Sequence, residues 1–282
     1  MELEAVKLPS YIINEFRKKL FDTGKLPLPV NTVCEHAKCP NRGECFSHKT
    51  LAFLLLGSIC TRNCMFCGVE KGKPQSSPLN DSQAVIEAIK HFDLKYVVLT
   101  SVTRDDLSDG GASCFVEVMK NIKVLQQPIK IEVLVPDFAG NINSLDIVCN
   151  QQPFVFNHNL ELVPHIYKKY RPGGNFQLSL NILKYVKANY VDIHIKTGIM
   201  VGFEETKEHV LSLIQLLATQ HIDSLTIGQY LQPDKKSAPV IRYVEPQEYK
   251  DYTTYGQEQG IKVIAGPLVR SSYMADKVFA TG

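Results

Sequence analysis

Six short β-rich runs, spaced by segments of helical periodicity, constrain this chain more than any other feature of its sequence. The runs are LAFLLLG (51–57), KYVVLTS (95–101), KIEVLVP (130–136), FVFNHN (154–159), VDIHIKTG (191–198) and LTIGQYL (225–231). Each has strand length and is rich in Val, Ile, Leu or Phe. Between them lie DSQAVIEAIKHF, SCFVEVMKNIKVL, LELVPHIYKKY, FQLSLNILKYVKA and ETKEHVLSLIQLLATQ, whose apolar residues recur at three and four. In the first of these, Ala84, Ile86, Ala88 and Ile89 share one helical side, and Asp81 is placed to cap it. Strands alternating with helices predict parallel βαβ units buried on both faces. The expected class is α/β, a partial (β/α)6 TIM-type barrel with N-terminal and C-terminal extensions, with a doubly wound sheet as the alternative.

In either architecture, functional groups belong at the carboxyl ends of the strands. Polar residues and turn formers collect there: CTRNCMFC after the first run, then TSVTRDD, PDF, FNHNLE, KTGIMVG and GQYLQP. The chain divides into an N-terminal arm with its own cysteines (1–50), the barrel (51–235) and a tail (236–282). The tail reads as one helix, one short strand (KVIAG) and an exposed end, too short for a second domain.

With 44% apolar and 21% charged residues, the chain has ordinary globular composition and enough apolar surface for a sizeable core. The formal net charge of +2 provides no field to steer nucleic acid or a membrane surface. The start, MELEAVKLPSYIINEF, lacks the basic region of a secretory signal and the arginines of a transit peptide. Leu51 to Leu56 falls far below the roughly 18 residues of a membrane span, so a soluble, cytoplasmic chain is expected.

In that compartment thiols stay reduced, which bears on the eight cysteines. Six of them, Cys34, Cys39, Cys45, Cys60, Cys64 and Cys67, fall in one short segment, whereas Cys114 and Cys149 stand apart within helical patterns that suit core packing. Clustered cytosolic cysteines point to metal or cluster ligands over disulfides. They form two triplets of different spacing, C-x4-C-x5-C and C-x3-C-x2-C. Structural zinc needs a fourth ligand and a symmetric partner pair, and neither triplet is a finger pattern. Three thiolates suit a 4Fe-4S cluster whose fourth iron stays open to an exogenous ligand.

C-x3-C-x2-C after the first strand of a partial barrel, with Phe66 before its last cysteine, resembles the signature of the radical S-adenosylmethionine superfamily. TVCEHAKCPNRGEC, CTRNCMFCGV, VLTSVTRDDLSDGGA, VPDF, FNHNLE, YRPGGNFQLSL, KTGIMVGFEET, GQYLQP and GPLVRSSY, in this order, closely resemble the lipoyl synthase family from about residue 30 to residue 276. The resemblance implies an enzyme that uses 5'-deoxyadenosyl radicals to insert two sulfur atoms at carbons 6 and 8 of a lysine-linked octanoyl chain. It implies two 4Fe-4S clusters, one of them a sacrificial sulfur source, and S-adenosylmethionine. Implied partners are an octanoylated lipoyl carrier, such as a 2-oxoacid dehydrogenase E2 component or glycine-cleavage H protein, and an electron donor such as flavodoxin or ferredoxin. Neither nucleic acid nor a membrane is among them.

Under this resemblance, Cys60, Cys64 and Cys67 match the ligands of the radical-generating cluster, and Cys34, Cys39 and Cys45 match three ligands of the auxiliary cluster. A serine of RSSY completes the second set, Ser271 or alternatively Ser272. A serine oxygen is a hard, weak iron ligand beside thiolates, which suits a cluster built to be dismantled. Ser101, Arg104, Asn159 and Glu161 are the strand-end candidates for S-adenosylmethionine, with Lys196 reaching toward cofactor or substrate. GIMVGFEE resembles the adenine-contacting G-x-I-x-G-x-x-E segment of the superfamily, with Met200 in place of Ile and with Gly198 and Gly202 allowing close backbone approach. Phe66 is either a neighbour of the adenine or cluster or an ordinary core aromatic. Asp105, Asp106 and Asp109 are either helix caps or cofactor neighbours, and His158 reads as a satisfied strand-end histidine. Biotin synthase, the nearest rival, lacks the N-terminal triplet and RSSY. Two departures from the family pattern, a tail ending nine residues after Tyr273 and Phe46 where many relatives have Trp, touch no proposed ligand.

Overall fold

The computed structural model describes residues 7–19, 31–33, 41–74 and 81–272. Nine strands occur in these segments: β1 (Thr50–Leu55), β2 (Ile59–Cys60), β3 (Glu70–Lys71), β4 (Tyr96–Ser101), β5 (Lys130–Leu134), β6 (Val155–Asn157), β7 (His194–Val201), β8 (Ser224–Gln229) and β9 (Lys262–Gly266). Strands β1-β4-β5-β6-β7-β8-β9 form one sheet in which every neighbouring pair is parallel, and β2 pairs with β3 in a small separate sheet. Parallel neighbours need crossovers, and helices supply them: Asp81–Phe92, Ala112–Val124, Ile142–Cys149, Phe176–Asn189, Lys207–Thr219 and Pro246–Gln259.

Burial on both faces explains the apolar runs. The outward side chains Phe53, Val97, Val133, Phe156 and Ile195 join the large core under the helices, while Ala52, Tyr96 and Val98 form a second, smaller cluster. That inner face also carries a polar network. Lys196 Nζ lies 3.0 Å from Glu132 Oε1, both side chains fully buried, and Tyr96 OH and Asn157 Nδ2 donate to the same carboxylate at 2.9 and 2.8 Å.

Two expectations change. KVIAG is no isolated tail strand: it hydrogen-bonds along β8 as the seventh strand of the main sheet, because the helix Pro246–Gln259 returns the chain as a further crossover. The helix expected over LELVPHIYKKY shrinks to a 3-10 turn, Pro164–Ile166, and one short turn, Tyr167–Tyr170. Pro164 has no N–H to continue a helix, and Glu161 adopts φ 70 in an isolated parallel bridge with Ile199.

The open edges of the sheet are covered. Leu54 N donates to Asn31 O at 2.9 Å and Thr32 bridges Phe53 in antiparallel sense, so the N-terminal arm lies along β1. Beyond β9, Leu268 O accepts from the side chain of buried Asn41. This contact joins the two extensions. Among the described residues, no helix is long and apolar enough to cross a membrane.

Candidate active site at the strand ends

A cavity of about 180 Å³ opens at the carboxyl ends of the strands, lined by Cys60, Cys64 and Cys67 together with Arg62, Phe66, Ser101, His158, Asn159, Glu161 and Arg171. The cysteine loop follows β1 and is held from outside. Thr61 N donates to Thr103 O, Met65 N to Tyr170 O and Ala238 N to Met65 O, at 3.0, 2.9 and 2.8 Å. Arg62 clamps the loop to two strand ends: its guanidinium pairs with Asp105, lies 3.1 Å from Asp137 Oδ1, and reaches Gly173 O at 3.3 Å.

The three thiols are free and half-buried. Burial pushes the Cys64 thiol up, with the Arg171 guanidinium opposing, and pushes Cys67 up to about 11, with the Val69 N–H opposing. A positive charge placed beside these thiols, such as a bound metal, would favour their thiolate form. Among the described residues, no three ligating side chains converge on a point where a single ion would sit. The three cysteines do share the lining of one cavity, where they would hold a four-iron cluster.

The remaining lining suits a zwitterionic, hydroxyl-bearing ligand. Glu161 is a carboxylate raised by burial and opposed by Arg171 and by its hydrogen bond from Asn159. Arg171 supplies the opposite charge and donates to Tyr167 OH at 2.5 Å. Two buried polar atoms of lining residues, Ser101 Oγ and His158 Nε2, have no hydrogen-bond partner among the described residues. His158 is thus not the fully satisfied histidine expected: only its Nδ1 is engaged, with Val135 O at 2.9 Å.

Gly198 leaves space beside these groups. A Cβ there would meet Thr226 Oγ1 at 2.6 Å and both Asn159 Oδ1 and Ser271 Oγ at 2.9 Å. Ser271 Oγ donates to Asn159 Oδ1 at 2.8 Å, so the C-terminal serine stands behind a lining residue, while neither Ser271 nor Gly198 itself lines the cavity. Cys45 lies half-buried in the short helix Arg42–Ser47, whose first turn closes through Cys45 N to Asn41 O. Cys34 and Cys39 lie outside the described residues.

Several expected site residues stand elsewhere. Lys196 does not line the cavity, because the buried Glu132 carboxylate holds it on the inner face of the sheet. Arg104, 3% exposed, is absent from the lining and forks onto Asp106 with contacts of 2.7 to 3.1 Å. Gly202 has φ +116 and packs where a Cβ would meet Gln229 Nε2 at 2.0 Å, away from the lining. Its N–H instead donates to Glu205, which accepts from Phe203 N as well. Asp109 accepts from Gly111 N and Ser113 N at the start of the helix Ala112–Val124, while Asp81 accepts from Leu56 N and so ties the end of β1. Burial pushes Cys114 and Cys149 up to about 12, which leaves them inert core thiols.

Arg62 and Arg171 were not singled out in the sequence. Both lie inside quoted motifs, CTRNCMFC and YRPGG, but nothing local distinguishes a clamp from a surface arginine.

The family model for the radical SAM superfamily matches residues 54–217. Lipoyl synthase of Shewanella woodyi is 46% identical over 275 residues, covering 96% of this chain and 84% of the relative. Lipoyl synthase of Caldicellulosiruptor saccharolyticus is 47% identical over 251 residues, covering 89% of this chain and 88% of the relative. Among solved structures, Streptococcus suis SuiB bound to S-adenosylmethionine superposes with TM-score 0.59 at 10% identity, covering 79% of this chain and 53% of SuiB, so the chain spans about half of that protein's length. Methylornithine synthase superposes with TM-score 0.55 at 13% identity over 80% of this chain and 76% of its own. At such identities these two likenesses speak to the fold alone.

Proposed function

We propose, from the premise that this chain belongs to the lipoyl synthase family of the radical SAM superfamily, that it inserts two sulfur atoms at carbons 6 and 8 of an octanoyl chain carried on a protein lysine. What supports the reading is the 2.8 Å contact of Ser271 with Asn159, which ties the C-terminal serine to a residue that shares one cavity with the cysteine loop and the other strand-end polar groups.

Cys60, Cys64 and Cys67 would hold the first 4Fe-4S cluster, and Cys34, Cys39, Cys45 and Ser271 the second. When bound, the first cluster with S-adenosylmethionine supplies one-electron cleavage and hydrogen abstraction, and the second supplies sulfur. The protein's own residues bind and orient. Glu161 and Asn159 take the ligand's ammonium or hydroxyl donors, Arg171 takes its carboxylate, and Ser101 offers a hydroxyl at the wall. Gly198 keeps the backbone of β7 close to the Ser271–Asn159 pair. The walls of Leu54, Val102, Leu134 and Val135 exclude water from the reacting carbon. Electrons come from a low-potential carrier such as flavodoxin or ferredoxin, and the octanoyl chain arrives on a lipoyl-carrier protein.

The test is anaerobic reconstitution with iron, sulfide and zinc analysis of the wild type and of a Cys34→Ala/Cys39→Ala/Cys45→Ala variant, followed by mass spectrometry of an octanoyl-lysine peptide. The expected results are loss of half the iron in the variant and, with wild type, exchange of two hydrogens for two sulfurs. Zinc in place of iron, or a peptide left unchanged by the reconstituted enzyme, would overturn the reading.

A further inference from the structure

The loops around the cavity mouth carry a concentration of positive charge that the site chemistry does not use. Lys71 and Lys73 follow the cysteine loop, Lys168 lies on the turn Tyr167–Tyr170, and Lys235 and Lys236 lie on the loop after β8; all are solvent-exposed. These segments adjoin. Met65 N binds Tyr170 O, Met65 O accepts from Ala238 N, and a Cβ on Gly68 would meet Pro233 Cβ at 2.9 Å.

Nearby carboxylates offset these lysines only in part, Asp234 beside Lys236 among them. Glu204 is taken by Lys169, and Asp234 is turned into its own loop by Lys236 N, Ser237 N and Ser237 Oγ. Glu70 on the first loop and Glu245 at the end of the third are exposed without such a partner among the described residues. Five exposed lysines against Glu70, Asp234 and Glu245 leave these adjoining loops with a net positive charge. Such a cluster repels itself in the free molecule, and an acidic partner relieves that repulsion. In the middle sits Met65, 40% exposed although its backbone is tied on both sides. An exposed apolar side chain beside positively charged loops has the anatomy of a recognition surface.

We infer that this lysine rim, with Met65 at its centre, docks an acidic face of the folded protein that delivers the octanoyl-lysine. The inference rests on the reading above that the acyl chain arrives on a protein lysine. A cavity of about 180 Å³ cannot take a folded domain, so the domain itself meets only the rim. The rim charges steer its approach and set its orientation, and the arm enters between the cysteine loop and the end of β6.

The test compares the reconstituted wild type with a Lys71→Glu/Lys168→Glu/Lys236→Glu variant on two substrates: an intact octanoylated carrier domain and a short octanoyl-lysine peptide with uncharged flanks. Unchanged iron content and melting temperature establish that the variant folds. At low ionic strength the variant is expected to bind the domain about tenfold or more weakly, by calorimetry and by KM, with the difference closing as salt is added. Peptide turnover is expected to stay at the wild-type level. Equal domain affinity for the two enzymes, or an equal loss on domain and peptide, would overturn the docking surface. Failure of the wild type to sulfurate the peptide would instead count against the functional reading, and the calorimetric comparison of domain binding would still decide the surface.

Discussion

Ser271 Oγ donates a 2.8 Å hydrogen bond to Asn159 Oδ1 although 112 positions separate the two residues. The contact joins the segment after the last strand to the end of β6, and Gly198 on β7 makes room for both oxygens. The missing side chain, not a special dihedral angle, is what Gly198 contributes.

Gly198→Ala places a methyl group 2.6 to 2.9 Å from three polar oxygens. Overpacking of this kind costs about 1–3 kcal/mol, and Ser271 is one of the three groups that must shift. The expected outcome is loss of auxiliary-cluster iron with the first cluster retained, read by iron analysis and Mössbauer spectroscopy. Full occupancy of both clusters would show that Ser271 does not depend on this space.

Arg62 spans Asp105, Asp137 and Gly173 O from within the cysteine loop. Lysine keeps the charge but loses the planar fork that serves two carboxylates. For Arg62→Lys, cluster retention and turnover are expected to fall about 10–100-fold, the usual effect of removing a group that orients metal ligands. Iron content and the electron paramagnetic resonance signal of the reduced protein check this, and wild-type values for both would refute it.

The fully buried Lys196–Glu132 pair predicts an asymmetric pattern of stability. Lys196→Met leaves a buried carboxylate with only the Tyr96 and Asn157 donors, at a cost of about 3–5 kcal/mol. Adding Glu132→Leu removes the stranded charge, and the double variant is expected to regain most of the loss in urea unfolding. A double variant no more stable than the single one would contradict this account.

Burial holds the His158 and His194 imidazoles down to about 4, against an ordinary value near 6.5. Between those limits the unfolded chain binds more protons than the fold does, so stability is full above about pH 6.5 and is lost as pH falls toward 4. Each histidine contributes about 1–3 kcal/mol to that loss. Urea unfolding of cluster-free protein at pH 7, 6 and 5 tests the slope, and His194→Gln should flatten part of it. A pH-independent midpoint across this range would exclude the effect.

Local pattern carried much of this protein. The six expected strands could be located because a parallel sheet buried on both faces demands apolar runs, and β1, with every residue of Thr50–Leu55 buried, is the plainest case. The C-x3-C-x2-C spacing marked three cysteines that share one cavity lining, because they sit close together in the chain. What only the tertiary structure decided are partnerships between distant segments. Lys196 faced a strand-end role in sequence until Glu132, 64 positions away, placed it in a buried pair. Arg104 turned to Asp106, the tail strand joined the sheet as β9, and Ser271 met Asn159. Periodicity and spacing report which face a residue occupies. Which charge or hydrogen-bonding group waits on that face depends on strand order and register, and those are properties of the folded chain.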